Sequence, residues 1–254
     1  MPGLRSLARR VRGGWRALRF RLWVTRLRFE LARRGARLAL DAPHGAELER
    51  LPIVRVHPAG AGAGTLTLRI GHGVRFGRNV ALELWAHGTN RLELGDYAHV
   101  YDGARLGLYS GSISLGHHSS IRYNAILKSA GELRVGNEVF VSHGSVVHCD
   151  ARVALGDRSG LAEGVTIVDS DHPLDGTDEH FYHRPLLVDP VVLEENVFVA
   201  SRAVITRGVH VGRNAAVGAG AVVRRGDYPS GWLVAGVPAT AVKPLVSESP
   251  PPAR

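Results

Sequence analysis

From residue 70 onward an apolar residue, aliphatic everywhere but at Phe76, recurs every six positions, and the recurrences fall into triplets. They run Ile70, Phe76, Leu82; Leu94, Val100, Leu106; Leu115, Ile121, Leu127; Val135, Val141, Val147; Leu155, Leu161, Ile167; Leu193, Val199, Ile205; and Val211, Val217, Val223. Four residues after the first and second members stands a small or β-branched residue, as at Ala98 and Ala104, Val139 and Ser145, Val197 and Ala203, Ala215 and Ala221. An amphipathic helix needs a 3.6-residue period, and a β-meander alternates every second residue with looser spacing. A period of six in groups of three predicts a solenoid instead. Each hexad is a short strand and a turn, three hexads close one triangular coil, and stacked coils bury an aliphatic column. Gly follows the first member at Gly71, Gly95, Gly116, Gly136, Gly156 and Gly212, where a tight turn is expected.

First members lie 24, 21, 20, 20, 38 and 18 residues apart. The 38-residue step, Leu155 to Leu193, holds 20 residues more than one coil of 18, around residues 168–187. The coils are occupied with packing, so chemistry is expected on that interruption. It carries His172, His180 and His183 among Asp169, Asp171, Asp175, Asp178 and Glu179. Composition alone fits a metal cluster, an acid–base site or a solvated polar loop.

Charge divides the chain. Residues 1–40 contain twelve Arg and one acidic residue, Glu30, a balance of +11; the chain total is +9, so the remainder sums to −2. Leu4, Leu7, Val11, Trp15, Leu18, Leu22 and Phe29 follow helical spacing between the Arg residues, which predicts a basic amphipathic helix interrupted at Gly13–Gly14. An anionic membrane surface is the favoured partner of this arm, ahead of packing on the body of the protein or on another protein. Nucleic acid is not expected, because no recognition module accompanies the charge. No apolar run reaches the length of a membrane span, and the Arg9–Arg10 pair is not followed by the apolar stretch of a signal peptide. The chain is read as cytoplasmic, peripheral at the inner membrane surface. Cys149 is the single cysteine, which excludes an intrachain disulfide and a cysteine-built zinc site.

Asp171-His172-Pro173-Leu174-Asp175 in the long insertion, GVHVGRNAAVGAGAVV (208–223) and VAGVPATAVKPL (234–245) resemble the loop, closing coils and terminal segment of the maltose- and galactoside-type sugar O-acetyltransferases. These belong to the hexapeptide-repeat superfamily, and the resemblance covers residues 115–245, about half of the chain. It implies a left-handed parallel β-helix; the pattern alone gives no handedness, and parallel crossovers are ordinarily right-handed. It further implies acetyl-CoA as co-substrate, a saccharide hydroxyl as acceptor, a homotrimer with sites between subunits, and His172 as catalytic base. Imidazole suits that role, since a hydroxyl is a poor nucleophile until a base takes its proton. Asp169, Asp171 and Asp175 are equivalent candidates to orient the ring, and Asp171 and Asp175 with His143 are expected to face the acceptor. By position, Phe198, Ser201 and Ala219 fall near the pantetheine arm, and Arg224, Arg225 and Lys243 near the phosphates. Gly144 stands where the family has a substrate-contacting Asn, which leaves the acceptor sugar open.

Three alternatives stand beside this reading. His143 and His148 resemble the zinc-binding coil of γ-class carbonic anhydrases, but Lys128 occupies the register of the third ligand, and no metal is expected. An N-acetyltransferase acting on an amino sugar would use the same base and donor. A non-catalytic hexapeptide scaffold would use neither. The domain plan is an arm (1–40), a linker with entry strands (41–69), a β-helix (70–246) with protruding loop 168–187, and a disordered tail (247–254).

Overall fold

The computed structural model describes residues 2–58 and 63–245, and within the N-terminal helix the side chains from Gly14 onward. The side chains of Leu4, Leu7 and Val11 and the tail 247–254 lie outside the described residues.

All seven triplets occupy the interior: every member from Ile70 to Val223 is at most 3% exposed. They stack in register. On the first face Leu94 pairs with Leu115, Leu115 with Val135, Val135 with Leu155, Leu155 with Leu193 and Leu193 with Val211. Parallel ladders of this kind build three faces of nine, nine and eight strands, which amount to eight complete coils and a partial ninth, and the strand Ala239–Pro244 returns antiparallel beside Trp232–Gly236 as a tenth strand of the second face. The small residues four places on (Ala98, Ala104, Val139, Ser145, Val197, Ala203, Ala215, Ala221) are buried at the corners. A hexapeptide repeat in parallel strands fits a left-handed β-helix.

The repeat starts before the first triplet. Arg37–Asp41 pairs with Thr65–Ile70, Glu47–Leu48 with Arg75–Phe76, and Ile53–His57 with Ala81–Trp85. Residues 41–69, expected as a linker with entry strands, therefore hold most of a first coil, whose inward positions include Leu48 and Val54.

The turn glycines serve a different purpose from the one expected. Positive φ falls two residues later, at Gly73, Tyr97, His118, Glu138, Arg158 and Asn214. The glycine itself is needed because the next coil passes against it. A Cβ on Gly116 would stand 2.6 Å from the amide nitrogen of Asn137 and 2.6 Å from the carbonyl carbon of Gly136. Outside that edge a side-chain ladder links the coils: the His72 amide donates to Asp96, the His117 amide to Asn137 and the Asn137 amide to Asp157.

Helix α1 (Pro2–Ala32) runs through Gly13–Gly14 without a break. Gly35, at φ +75°, ends it, and the Ala36 amide closes back on the Leu31 carbonyl at 3.0 Å. Trp23, Val24, Leu27 and Leu31 are buried in the core, and the helix touches one strand of each face in the first coil. It thus caps the open end of the prism, where the last aliphatic layer would otherwise meet water. Arg16 pairs with Glu47 at 2.5 Å, and Arg19 donates to the Leu48 and Glu49 carbonyls.

Candidate active site

Two groups of polar side chains stand outside the packing, on different edges of the prism. The first lies on the edge between the second and third faces. There Tyr123, His143, Glu163, Ser201 and Ala219 form one column, because the Gly144, Gly164, Arg202 and Gly220 amides each donate to the column residue one coil earlier. The His143 ring stacks on Tyr123 at 5.1 Å and 16°, and Nδ1 lies 3.1 Å from the Ser142 hydroxyl. Ser142 also donates to Glu163 Oε1 at 2.7 Å, and Ser201 donates to Oε2 at 3.2 Å. These hydroxyl donors, that of Ser142 first, hold the Glu163 carboxyl below the usual range. Glu163 is thus an ionised post joining three consecutive coils, 3.8 Å from His143 Nδ1.

The second group is the long insertion, which leaves the edge between the third and first faces. Its foot is Asp169, fully buried, accepting from the amides of Asp150 (2.7 Å), Ala151 (2.8 Å) and Arg152 (2.7 Å). The Asp169 carbonyl accepts from the Asp189 amide, so one residue ties both stems of the loop. Above it Ser170–Asp171 pairs antiparallel with Leu187–Val188. Arg184 organises the tip. Its guanidinium reaches Asp175 at 2.6 Å, Glu179 at 3.0 Å and the Thr177 hydroxyl. The hydrogen bond from Arg184 holds the Asp175 carboxyl down to about 2. His180 accepts from the Tyr182 amide and so caps the single turn Phe181–His183. His172 lies against this turn, edge-on to Phe181 at 5.0 Å and stacked over Tyr182 at 6.0 Å.

The three carboxylates that the sequence left equivalent are now distinct. Asp169 is committed to backbone amides, Asp171 to Arg207 at 3.0 Å and Asp175 to Arg184. Among the described residues of one chain no carboxylate hydrogen-bonds to His172. His143, Ser201 and Ala219 share the corner column, and Phe198, half exposed, lies on the outer surface of the second face beside it. Arg224 and Arg225 lie on the loop's own edge, with Arg225 held to Asp189 at 3.0 Å. Lys243 sits in the returning strand Ala239–Pro244, opposite Leu233. The fold does not bring His172 to His143: one stands at each end of the third face. Lys128 is the register partner of His148, whose Nε2 instead meets Asp150 at 3.3 Å.

Ser142, Glu163 and Arg184 were missed in the sequence. Coil spacing had the signal for Glu163, since it follows His143 by one 20-residue coil and precedes Ser201 by the 38-residue step.

Residues 190–225 match the family model of the bacterial transferase hexapeptide (six repeats). A probable acetyltransferase from Mycobacterium tuberculosis is 28% identical over 120 residues, 47% of this chain and 40% of that protein. The galactoside O-acetyltransferase of Escherichia coli is 24% identical over 132 residues, 52% of this chain and 64% of that protein. The chain thus spans about half the length of these curated relatives. A solved hexapeptide-repeat acetyltransferase from Vibrio cholerae aligns over 52% of this chain and 74% of its own, at 26% identity and a TM-score of 0.46. The chain carries the hexapeptide repeat of the bacterial transferases, and the relatives it is similar to are acetyltransferases of both the O- and the N-type.

Proposed function

We propose that this protein is an acetyl-CoA-dependent O-acetyltransferase acting on a saccharide hydroxyl, with His172 as general base. The observation that carries the reading is the protruding loop: an otherwise regular solenoid spends a buried carboxylate, an ion-pair hub and an aromatic turn on holding one imidazole clear of its surface. His172 takes the proton of the acceptor hydroxyl as that oxygen attacks the thioester carbonyl. The carbon–sulfur bond then breaks, and the proton passes to the departing thiolate, giving free CoA and the acetyl ester.

Because His172 and the His143 column stand at opposite ends of one face, loop and corner can meet only between copies, which favours the homotrimer. In that assembly the His143 column faces the acceptor, with Asp171 and Asp175 at its loop side. Phe198, Ser201 and Ala219 would line the pantetheine arm, and Arg224, Arg225 and Lys243 would attract the phosphates. On this reading the protein works in the cytoplasm, the basic arm rests on an anionic membrane surface, and the acceptor is a lipid-linked saccharide.

The test is release of free thiol from acetyl-CoA across a panel of hydroxyl and amino sugars, wild type against His172→Ala. A general base contributes about 10²–10⁴-fold, so acceptor-dependent release should fall by at least about two orders of magnitude. A variant as active as wild type would remove His172 from the chemistry.

A further inference from the structure

Helix α1 carries two apolar stripes, and only one of them is used by the fold. The inner stripe, Phe20, Trp23, Leu27 and Leu31, closes the end of the prism. Trp15, Leu18, Leu22 and Phe29 form the other, spaced by three, four and seven residues, and are 61%, 46%, 51% and 60% exposed. Leu18 and Leu22 each stand two residues from Phe20, and Phe29 stands two from Leu31. Two residues are about 200° of helical turn, so the second stripe points directly away from the solenoid. A helix that merely caps a core needs polar residues there.

The cations divide in the same way. Arg16 and Arg19 turn inward to Glu47 and to the Leu48 and Glu49 carbonyls. Arg21 and Arg28 flank the outer stripe on one side, and Arg26 and Arg33 flank it on the other, by helical position. Among the described residues Arg21, Arg26 and Arg28 are exposed and have no carboxylate within ion-pair distance. No described helix is long and apolar enough to cross a membrane.

We propose that this outer stripe is a lipid-docking face, which seats the solenoid end-on upon an anionic bilayer surface. The proposal deepens the membrane placement given above and rests on it. Charge complementarity selects the occupant. Apolar residues with a wide aromatic share enter the headgroup boundary while the flanking guanidinium groups meet lipid phosphates. A second copy of the helix in the same place would set Arg against Arg along both margins. The geometry also sets a height. The cap lies under the first coil and the His172 loop leaves after the sixth, five coil spacings away. At a strand spacing of roughly 4.8 Å that places the loop about 25 Å above the first coil, with the thickness of the capping helix, about 10 Å, between that coil and the seat. An acceptor carried on a lipid is then reached at its distal sugars, not at the residue next to the membrane.

The experiment is co-sedimentation of the full chain with vesicles of phosphatidylcholine containing phosphatidylglycerol, against phosphatidylcholine alone. Binding is expected to the anionic vesicles only and to weaken with salt. Arg21→Gln and Arg28→Gln should each weaken it about fivefold, and Leu22→Glu with Phe29→Glu should weaken it at least about tenfold. Thiol release on a soluble acceptor should be unchanged in these variants, which separates this proposal from the proposed activity. Brominated lipid should quench part of the tryptophan emission, and Trp15→Phe should remove most of that part, because Trp23 is buried, Trp85 stands on the side of the second coil and Trp232 lies at the far end of the solenoid. No anionic preference, or variants that bind like wild type, would overturn the proposal. So would a stripe that holds copies together, seen as a smaller particle for Leu22→Glu with Phe29→Glu and no vesicle binding by wild type.

Discussion

Asp169→Ala is the substitution that most sharply separates a structural carboxylate from a chemical one. Its side chain is fully buried, with Oδ1 taking the Asp150 amide and Oδ2 taking those of Ala151 and Arg152. Truncation leaves three partly buried N–H groups without an acceptor. Each such group costs about 1–3 kcal/mol, and water entering the space left by the carboxylate recovers part of that, so the loss should be about 3–5 kcal/mol. This is a large share of the roughly 5–15 kcal/mol that holds a domain together. Asp169→Asn should fall between, at about 2 kcal/mol, because its NH2 would face amide donors. Asp171→Ala, two residues on, breaks a solvent-exposed pair with Arg207 and should cost under about 1 kcal/mol. Urea denaturation of the three variants at one protein concentration reads these differences. If Asp169→Ala unfolds within about 1 kcal/mol of wild type, the loop is not anchored by this residue, and its role must be sought in the reaction.

Three further outcomes follow from the same geometry. Burial, with the Asp169 charge beside it, pushes the Cys149 thiol up to about 12, so native protein at pH 8 should resist iodoacetamide and react only on unfolding. The sign follows: the stability tied to this thiol is full below the unfolded value near 8.5 and declines as pH rises toward 12. Gly116→Ala should destabilise by about 1–3 kcal/mol, since two of the three atoms its Cβ meets, the Asn137 nitrogen and the Gly136 carbonyl carbon, are backbone and cannot give way; a neutral result in a melt would show that adjacent coils can slide apart. Arg184→Met should raise amide exchange across residues 171–188 and lower the rate of thiol release by less than His172→Ala does. As Asp175 is held down to about 2, the loop tip keeps this pair above the ordinary carboxylate range and loses it only as pH falls through about 2. Exchange in the loop that rises already near pH 4 would contradict that.

The coils were legible because each interior position takes an apolar side chain, aliphatic everywhere but at Phe76, so the six-residue period survives through every triplet. The first coil follows the same rule, with Ala42, Leu48 and Val54 in register with Ile70, Phe76 and Leu82. It went unread because Ala42 is a weak apolar signal and Pro43 and Pro52 break the run. The capping role of Trp23, Leu27 and Leu31 was hidden for a related reason. A helix with apolar residues on both sides offers no sequence cue to which stripe faces the core. In the loop, Asp169, Asp171 and Asp175 look alike because a polar segment has no periodicity, and only the fold distinguishes backbone acceptor, stem pair and tip pair. Glu163 was recoverable from coil arithmetic, whereas Arg184 was not, since its partners are set by how the loop closes on itself.

In the proposed enzyme, loop His172 and corner His143 act together only where copies meet. Co-refolding His172→Ala chains with His143→Ala chains and measuring acceptor-dependent thiol release tests it directly. Each variant alone should be impaired at least about tenfold. In random mixed trimers roughly a quarter of the interfaces would join an intact loop to an intact corner, so the mixture should recover on the order of a quarter of wild-type activity. A mixture no more active than its two components would contradict a site built between subunits.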